Sequence, residues 1–477
     1  MLTRIEVNGF KNLLRFHAEL GPFTCIAGPN GSGKSNLFDA IRFLALLADH
    51  PLMEAAARVR GTQDDAGDPR ELFWRDQKNQ IDRMSFAVEM IVPKSVSDDF
   101  GRTGKPTTTF LRYELELGYE PPSGLANLGR LVLLKEELTH IKLGDAFKHL
   151  RFPHSAKDFR RHVVTGRRAG SAFISTKTSE DGLTEIHVHQ DGGSRGQPRP
   201  SPAQTAPRTI VSTTTTASDP TILAARREFQ SWQTVSLEPS KMRASDRFSA
   251  TPRIGSDGSH LPATLYRLAT STKNGSQAPD PAATYAKVAA RLSEILGVRA
   301  VRVDRDDRRQ MLTVEVQEHG GDFLPARALS EGTLRFLALC VLREDPEVHG
   351  LLCMEEPENG IHPLRMGSMV DLVRELAVDT RRAPGPENPM RQVIVNTHSP
   401  AVVQLQNPED LLFADTTTIR GPGGRLTRTL RLRPLQGTWR TDDAEPGIGK
   451  ASIIHYLTAP RGTQIELFEG DDTTVEP

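Results

Sequence analysis

The chain is poor in several features that would settle its class at once. Three of its 477 residues are cysteine, Cys25, Cys340 and Cys353. Their spacing fits neither a zinc site nor a disulfide framework, and each lies among apolar neighbours, where a thiol packs as a small core side chain. That usage fits a reducing compartment, and the expected location is the cytoplasm. No run approaches the roughly 18 apolar residues that would span a bilayer. The opening MLTRIEVNGF alternates like a strand and does not place an apolar core behind a basic region, so neither export nor a membrane partner is expected. Charge of one sign is also lacking: 60 Lys and Arg balance 60 Asp and Glu. No global field steers the molecule onto nucleic acid, and any such contact must come from a local patch. Sustained heptads and internal repeats are absent, which excludes a long coiled coil or a solenoid.

What is there is a globular composition, 37% hydrophobic and 25% charged, with length for two or three average domains or one elaborated fold. Residues 2–9 and 22–27 read as strands, and Leu37, Ile41, Leu44 and Ala48 lie on one helical face that Asp49, His50 and Pro51 terminate. Further strands are predicted at 84–92, 111–117 and 131–138, with a hairpin pairing 173–175 and 186–189 around Asp181 and Gly182, which together suggest an antiparallel lobe. Residues 190–220, rich in Gly, Pro, Ser and Thr, read as a flexible surface loop. Helical spacing returns at Leu261, Leu265 and Leu268, and again at Tyr285, Val288, Leu292 and Ile295. A hairpin over 300–316 follows.

Five stretches carry chemistry. Gly28-Pro29-Asn30-Gly31-Ser32-Gly33-Lys34-Ser35 lies between an apolar strand and an amphipathic helix, the placement a phosphate-binding loop requires. Its glycines let backbone N–H groups turn toward phosphate oxygens. The helix start, with Asn36 in its first turn, adds partial positive charge; Lys34 reaches the β- and γ-phosphates, and Ser35 binds Mg²⁺. Leu351-Leu352-Cys353-Met354-Glu355-Glu356-Pro357 is an apolar strand ending in two carboxylates. Because successive strand residues face opposite ways, both acids serve one nucleotide only if the strand curls at its end. Glu355 would then hold the Mg²⁺ shell, and Glu356 would orient or deprotonate the attacking water. Ser330 in Leu329-Ser330-Glu331-Gly332-Thr333-Leu334-Arg335 is placed to N-cap a helix and, with Gly332, to expose N–H groups to an anion. The run 393–395 leads into Asn396-Thr397-His398-Ser399-Pro400, and Glu358-Asn359-Gly360-Ile361-His362-Pro363 lies between the acidic strand and that histidine.

In this order the stretches resemble the Walker A, signature, Walker B, D-loop and switch-histidine motifs of ABC-type ATPases. Residues 5–13, 28–35 and 329–363 look like the predicted ATPases of the AAA-21 group, relatives of RecF, of SMC heads and of the overcoming-lysogenisation-defect (OLD) proteins. The "EEPE" of that group is matched by Glu355, Glu356, Pro357 and Glu358. Also similar are Glu137 with Leu138, residues 232–243, and the run from Ser256 to Leu261. The resemblance implies an α/β fold: an ABC-type P-loop ATPase head with a mixed sheet, an antiparallel β lobe and a small helical lobe, and no long coiled coil. The expected divisions are 1–240 for the P-loop and antiparallel lobe, 241–325 for the helical lobe and hairpin, 326–415 for the later motifs, and 416–477 for terminal strands and an acidic tail. A Q-loop glutamine is expected after the antiparallel lobe, with Gln233 a weak candidate. The residues after His398 hold no carboxylate cluster for a Toprim nuclease.

The implied mechanism is a homodimer or higher homo-oligomer sandwiching MgATP, with Ser330 and Gly332 of one subunit closing on the nucleotide held by Lys34 and Ser35 of the other. Glu356, His398 and Lys34 would be catalytic. The output would pass to a separate effector protein in DNA repair or anti-phage defence; the alternative is a scaffold that holds ATP with little turnover. Two basic clusters are candidates for DNA or RNA contact: Lys157, Arg160, Arg161, Arg167 and Arg168, and Arg425, Arg428, Arg431 and Arg433.

Overall fold

The computed structural model describes residues 1–60, 67–75, 81–122, 129–166, 172–179, 183–191, 197–271, 280–421, 424, 426–441 and 447–458. The hairpin turn at Asp181 and Gly182, together with Arg167, Arg168, Arg425 and the acidic tail, therefore lies outside the described residues.

Among these residues a six-stranded sheet organises the molecule, in the order Gln233–Val235, Gly350–Glu355, Arg391–Thr397, Phe23–Ala27, Leu411–Arg420, Leu426–Pro434. The first five strands run parallel and only the last turns back. Its strands are apolar on both sides because both faces are covered. Ile26, Leu351, Cys353 and Ile394 pack into one core, while Cys25, Ala27, Leu352, Met354, Val393 and Val395 pack into a second core on the other face. The helix Glu331–Glu344, with Phe336, Leu337, Leu339 and Val341 buried, seals the second face. All three cysteines are buried and free, and burial pushes each thiol well above its ordinary range.

The first core is shared with an eight-stranded sheet of order Arg199–Pro202, Thr184–Val188, Ile174–Thr178, Arg130–His140, Phe110–Glu120, Arg83–Ile91, Leu2–Asn8, Phe16–Glu19, antiparallel throughout. The helix Lys34–Leu47 lies against it: Phe43 stacks with Phe10 at 5.9 Å and meets Phe86 at 5.8 Å. Buried Gln392 joins the two sheets, accepting from Leu2 N–H and donating to the carbonyls of Leu2 and Gly21. The helices Leu261–Thr270 and Pro281–Leu296 form the expected small lobe, packed on a separate sheet built around the hairpin Val298–Asp306 and Met311–Glu318.

Among the described residues of this segment, 190–191 and 197–220, the structure departs from the expectation of a loop. Arg199–Pro202 extends the antiparallel sheet, Ile210–Thr213 forms a helical turn, and Pro220 opens the helix Pro220–Gln230. The polar residues that suggested a loop are used instead as caps: Thr209 accepts from Ser212 N–H, and Asp191 accepts from Thr221 N–H at 2.6 Å. Fully buried Glu136 accepts from the N–H groups of Ile210 and Val211 at 2.7 and 3.0 Å, and burial pushes its carboxyl up to about 7.

Phe43 carries the P-loop helix onto the antiparallel sheet and is fully buried. Phe43→Ala should therefore destabilise the protein by about 3–5 kcal/mol, read as a fall in the urea midpoint with an unchanged slope. A loss below about 1 kcal/mol would mean that the helix is held in some other way.

Candidate active site

Three adjacent parallel strands end beside one another and deliver most of the predicted residues to one cleft. Phe23–Ala27 runs into the phosphate-loop sequence, and Gly28 N–H donates to Thr397 O at 3.2 Å across the strand gap. Only glycine fits at 28, since a Cβ there would lie 2.6 Å from the carbonyl of Ala414. Gly33 precedes the helix Lys34–Leu47 with φ near +100°, a left-handed conformation that glycine adopts without strain. Asn30, Gly31, Gly33, Lys34, Ser35 and Asn36 line one wall of a cleft of about 450 Å³, and Glu355, Glu356, Asn359 and Asn396 line the other. Gly28 and Pro29 contribute through their carbonyls, which accept from Lys34 Nζ at 2.7 and 2.8 Å.

The two acids reach the same cleft because the chain turns between them. Glu355 is the last strand residue, and Glu356 has φ +44°, a left-handed backbone that is costly for a side chain of this kind. Buried Asn396 holds that turn: its carbonyl and its Oδ1 each accept from Glu356 N–H at 3.1 Å. The Glu356 carboxylate is then fixed at both oxygens, by His398 Nδ1 at 2.6 Å and by Asn359 Nδ2 at 2.9 Å. A carboxylate can only accept, so Nδ1 of His398 carries the proton. Partial burial raises the Glu356 carboxyl, but the hydrogen bonds from Asn359 and His398 and the nearby Lys34 charge outweigh it, leaving the group below the usual carboxylate range. Lys34 is pushed down by burial, while Glu356, Glu358 and Glu355 pull the other way.

Ser330 and Gly332 stand elsewhere. Ser330 caps the helix Glu331–Glu344, accepting from Thr333 N–H at 3.2 Å as its position predicted, but neither residue lines this cleft. Gln233 sits at the exposed start of its strand, whereas Ser236, just past the strand's end, reaches the cleft. Arg60 also lines it, tied to buried Asp39 at 2.7 Å, with Lys11 on the same carboxylate oxygen. Sequence reasoning missed Asn396, Asn359, Ser236 and Arg60 as site residues. Asn396 and Asn359 lay within recognised motifs and could have been found by asking what pins the turn, whereas nothing local marks Arg60 or Ser236.

Matches to known proteins fall on the segments that build this cleft. A family model described as "AAA domain, putative AbiEii toxin, Type IV TA system" matches residues 246–404, and one described as RecF/RecN/SMC N terminal domain matches residues 1–52. The likeness is to SMC and RecF heads. Structural maintenance of chromosomes protein 1 of Schizosaccharomyces pombe is 35% identical over 122 residues, covering 24% of this chain and 8% of that protein. DNA replication and repair protein RecF of Phocaeicola vulgatus is 33% identical over 97 residues, 17% of this chain and 26% of that protein. The chain thus spans only a minor part of the curated relatives it matches. Among solved structures, an Smc head bound to the C-winged helix domain of ScpA aligns at 15% identity and TM-score 0.43, covering 90% of this chain and 97% of that one. The Pyrococcus furiosus Smc head bound to the C-terminal domain of ScpA aligns at 12% and 0.44, covering 91% and 96%. The motif order, the loop between strand and helix, and the mixed sheets make the fold that of an α/β P-loop ATPase head. Among the described residues no helix is long and apolar enough to cross a membrane.

Of the two basic clusters, Arg167, Arg168 and Arg425 lie outside the described residues. Lys157, Arg160 and Arg161 lie in the short helical stretch Ala156–Arg160 and Arg161–Val163, and Arg433 is 3.9 Å from Asp415 on the neighbouring strand.

The lowered Glu356 carboxyl sets a pH dependence. A group held below its unfolded value contributes its full stabilisation above the ordinary carboxylate range and loses it as pH falls through the lowered value. The difference in Tm between wild type and Glu356→Gln should stay constant from about pH 7 to about pH 5 and shrink in more acid solution. A difference independent of pH down to full protonation would show that the carboxylate charge is not what His398 and Asn359 hold.

Proposed function

We propose that this chain binds MgATP in the cleft and hydrolyses it, with two copies closing on two nucleotides so that ATP switches their assembly. The observation that carries the reading is the convergence of Lys34, Ser35, Glu355, Glu356 and His398 at the ends of three adjacent strands. The site suits a polyphosphate with a divalent ion. Lys34 and Arg60 line the cleft as cations, two acids face them, and buried Ser32 Oγ lacks a hydrogen-bond partner within the loop. Ser35 and Glu355 would hold Mg²⁺, whose charge neutralises the β- and γ-phosphate oxygens.

The chain's own groups do the rest. Lys34 releases the Gly28 and Pro29 carbonyls and takes phosphate oxygens. Glu356, ionised and held by His398, accepts a proton from the attacking water or aligns it. Ser330 and Gly332, at the start of a 14-residue helix and away from their own cleft, offer their N–H groups to the γ-phosphate held by the other copy. Loss of the γ-phosphate then loosens the pair. The matches to RecF, SMC and AbiEii-type sequences support a role as sensor for a separate effector in DNA repair or anti-phage defence.

The test compares wild type with Glu356→Gln. The variant should lose at least about 100-fold in kcat while still binding ATP, and should accumulate an ATP-dependent dimer by light scattering. Ser330→Arg should keep ATP binding in the monomer and abolish that dimer. Equal, negligible turnover by wild type and Glu356→Gln would favour the scaffold and remove the enzymatic reading.

A further inference from the structure

Two polar atoms of opposite charge are buried without hydrogen-bond partners where the signature helix meets the D-loop: Arg335 Nε and Glu358 Oε2. Glu358 is only 6% exposed. Its other oxygen, Oε1, accepts from the Thr397 hydroxyl, and Thr397 Oγ1 in turn accepts from Ser399 N–H at 2.9 Å. Those two bonds bracket His398, so Glu358 is what the switch turn is built upon. On its other side, the Glu331 and Glu358 charges both act on Arg335. The junction is close. Gly360 has φ +73°, and a Cβ there would lie 3.2 Å from Glu331 Oε2 and 3.8 Å from Arg335 Nε, while one at Gly332 would lie 3.4 Å from Gly360 O. The side chains of Glu331 and Arg335 thus lie directly against the Gly360 backbone.

We propose that Glu358 is a positioning residue that couples the switch turn to the signature helix: Oε1 holds Thr397 and thereby His398, and Oε2 is the acceptor that Arg335 Nε takes up when nucleotide binding moves the helix. The proposal rests on the ATPase reading above. Its logic is that of buried polar groups. Each unpaired atom is costly in isolation, and the two are complementary, so a small shift of the helix satisfies both at once. His398 and Ser330 serve opposite faces of the assembly, and one buried carboxylate then ties the state of one to the position of the other.

A double-mutant cycle on steady-state hydrolysis tests this, with Glu358→Gln, Arg335→Ala and the double variant. Glu358→Gln keeps an oxygen for Thr397 and removes only the charge. Each single change should lower kcat roughly tenfold with KM near wild type, and the double variant should be no slower than the worse single, since both remove one interaction. Arg335→Lys, which keeps the charge, should recover part of the loss. Losses that multiply, or single variants at wild-type kcat, overturn the coupling. If Glu358→Gln proves unfolded by its Tm, amide exchange at Ser399 in Arg335→Ala decides the matter. ATP should slow that exchange in wild type and leave it unchanged in the variant; equal slowing in both overturns the proposal. A wild type that neither binds nor hydrolyses ATP removes the ATPase reading and this inference with it, whereas an active wild type with additive variants removes the coupling alone.

Discussion

Two consecutive acids at the end of a β-strand point to opposite faces of the sheet, and the candidate site exists because the backbone reverses that geometry at one residue. Glu356 occupies a left-handed conformation that costs on the order of 1–3 kcal/mol. It persists because Asn396, one strand over, takes its N–H with two acceptors. Asn396 can do so because it pairs in register with Glu355 on the adjacent parallel strand. The strain is thus held in place by sheet register, and the register is held by cores on both faces. Slipping either strand by one residue would exchange side chains between the two cores and carry Asn396 out of register with Glu355.

The cleft draws on the whole fold through the same register. Gln392, four residues before Asn396 on its strand, fastens the parallel sheet to the first strand of the antiparallel one. Arg391, beside it and 2% exposed, donates to the carbonyls of Val348 and Asp345 at 2.8 Å, fixing the chain that leads into the acidic strand. One strand therefore leads into His398, pins the Glu356 turn and anchors both neighbouring layers. A change at its buried start is transmitted to its exposed end through rigid β-structure, not through a flexible loop.

The sequence was most legible where a local rule leaves one solution. Glycines at fixed spacing between strand and helix placed the phosphate loop; Ser330 three residues before Thr333 placed a cap that the structure contains; the apolar run before Glu355 placed the strand. It was misleading at 190–220, where Ser, Thr and Asp serve as caps and as ligands for buried backbone, so that composition suggested solvent exposure. It was silent on Arg60 and Ser236, which reach the cleft only through tertiary packing. Asn396 lay between these extremes. Its motif was recognised, but its role depends on which strand lies next to which, and the insertion of Arg391–Thr397 between the P-loop strand and the acidic strand is a property of sheet order that hydrophobic periodicity does not encode.

Charge at the cleft is unevenly paired. Glu355, Glu356 and Glu358 all act on Lys34, and burial works against its ammonium form. Within the subunit Lys34 is paired with neutral carbonyls, not with an acid, while Arg60 and Lys11 share Asp39 beside the cleft wall. Lys34 therefore stands near three acids while its hydrogen bonds go to the Gly28 and Pro29 carbonyls. In the proposed reading, a phosphate chain with its metal would offer the opposite charge to Lys34 and to the acids at once, and in a partly buried site that exchange is worth more than in water. Direct pairing of Lys34 with Glu356 would satisfy both residues and close the cleft. Glu356 is instead engaged by His398 at 2.6 Å and by Asn359 at 2.9 Å.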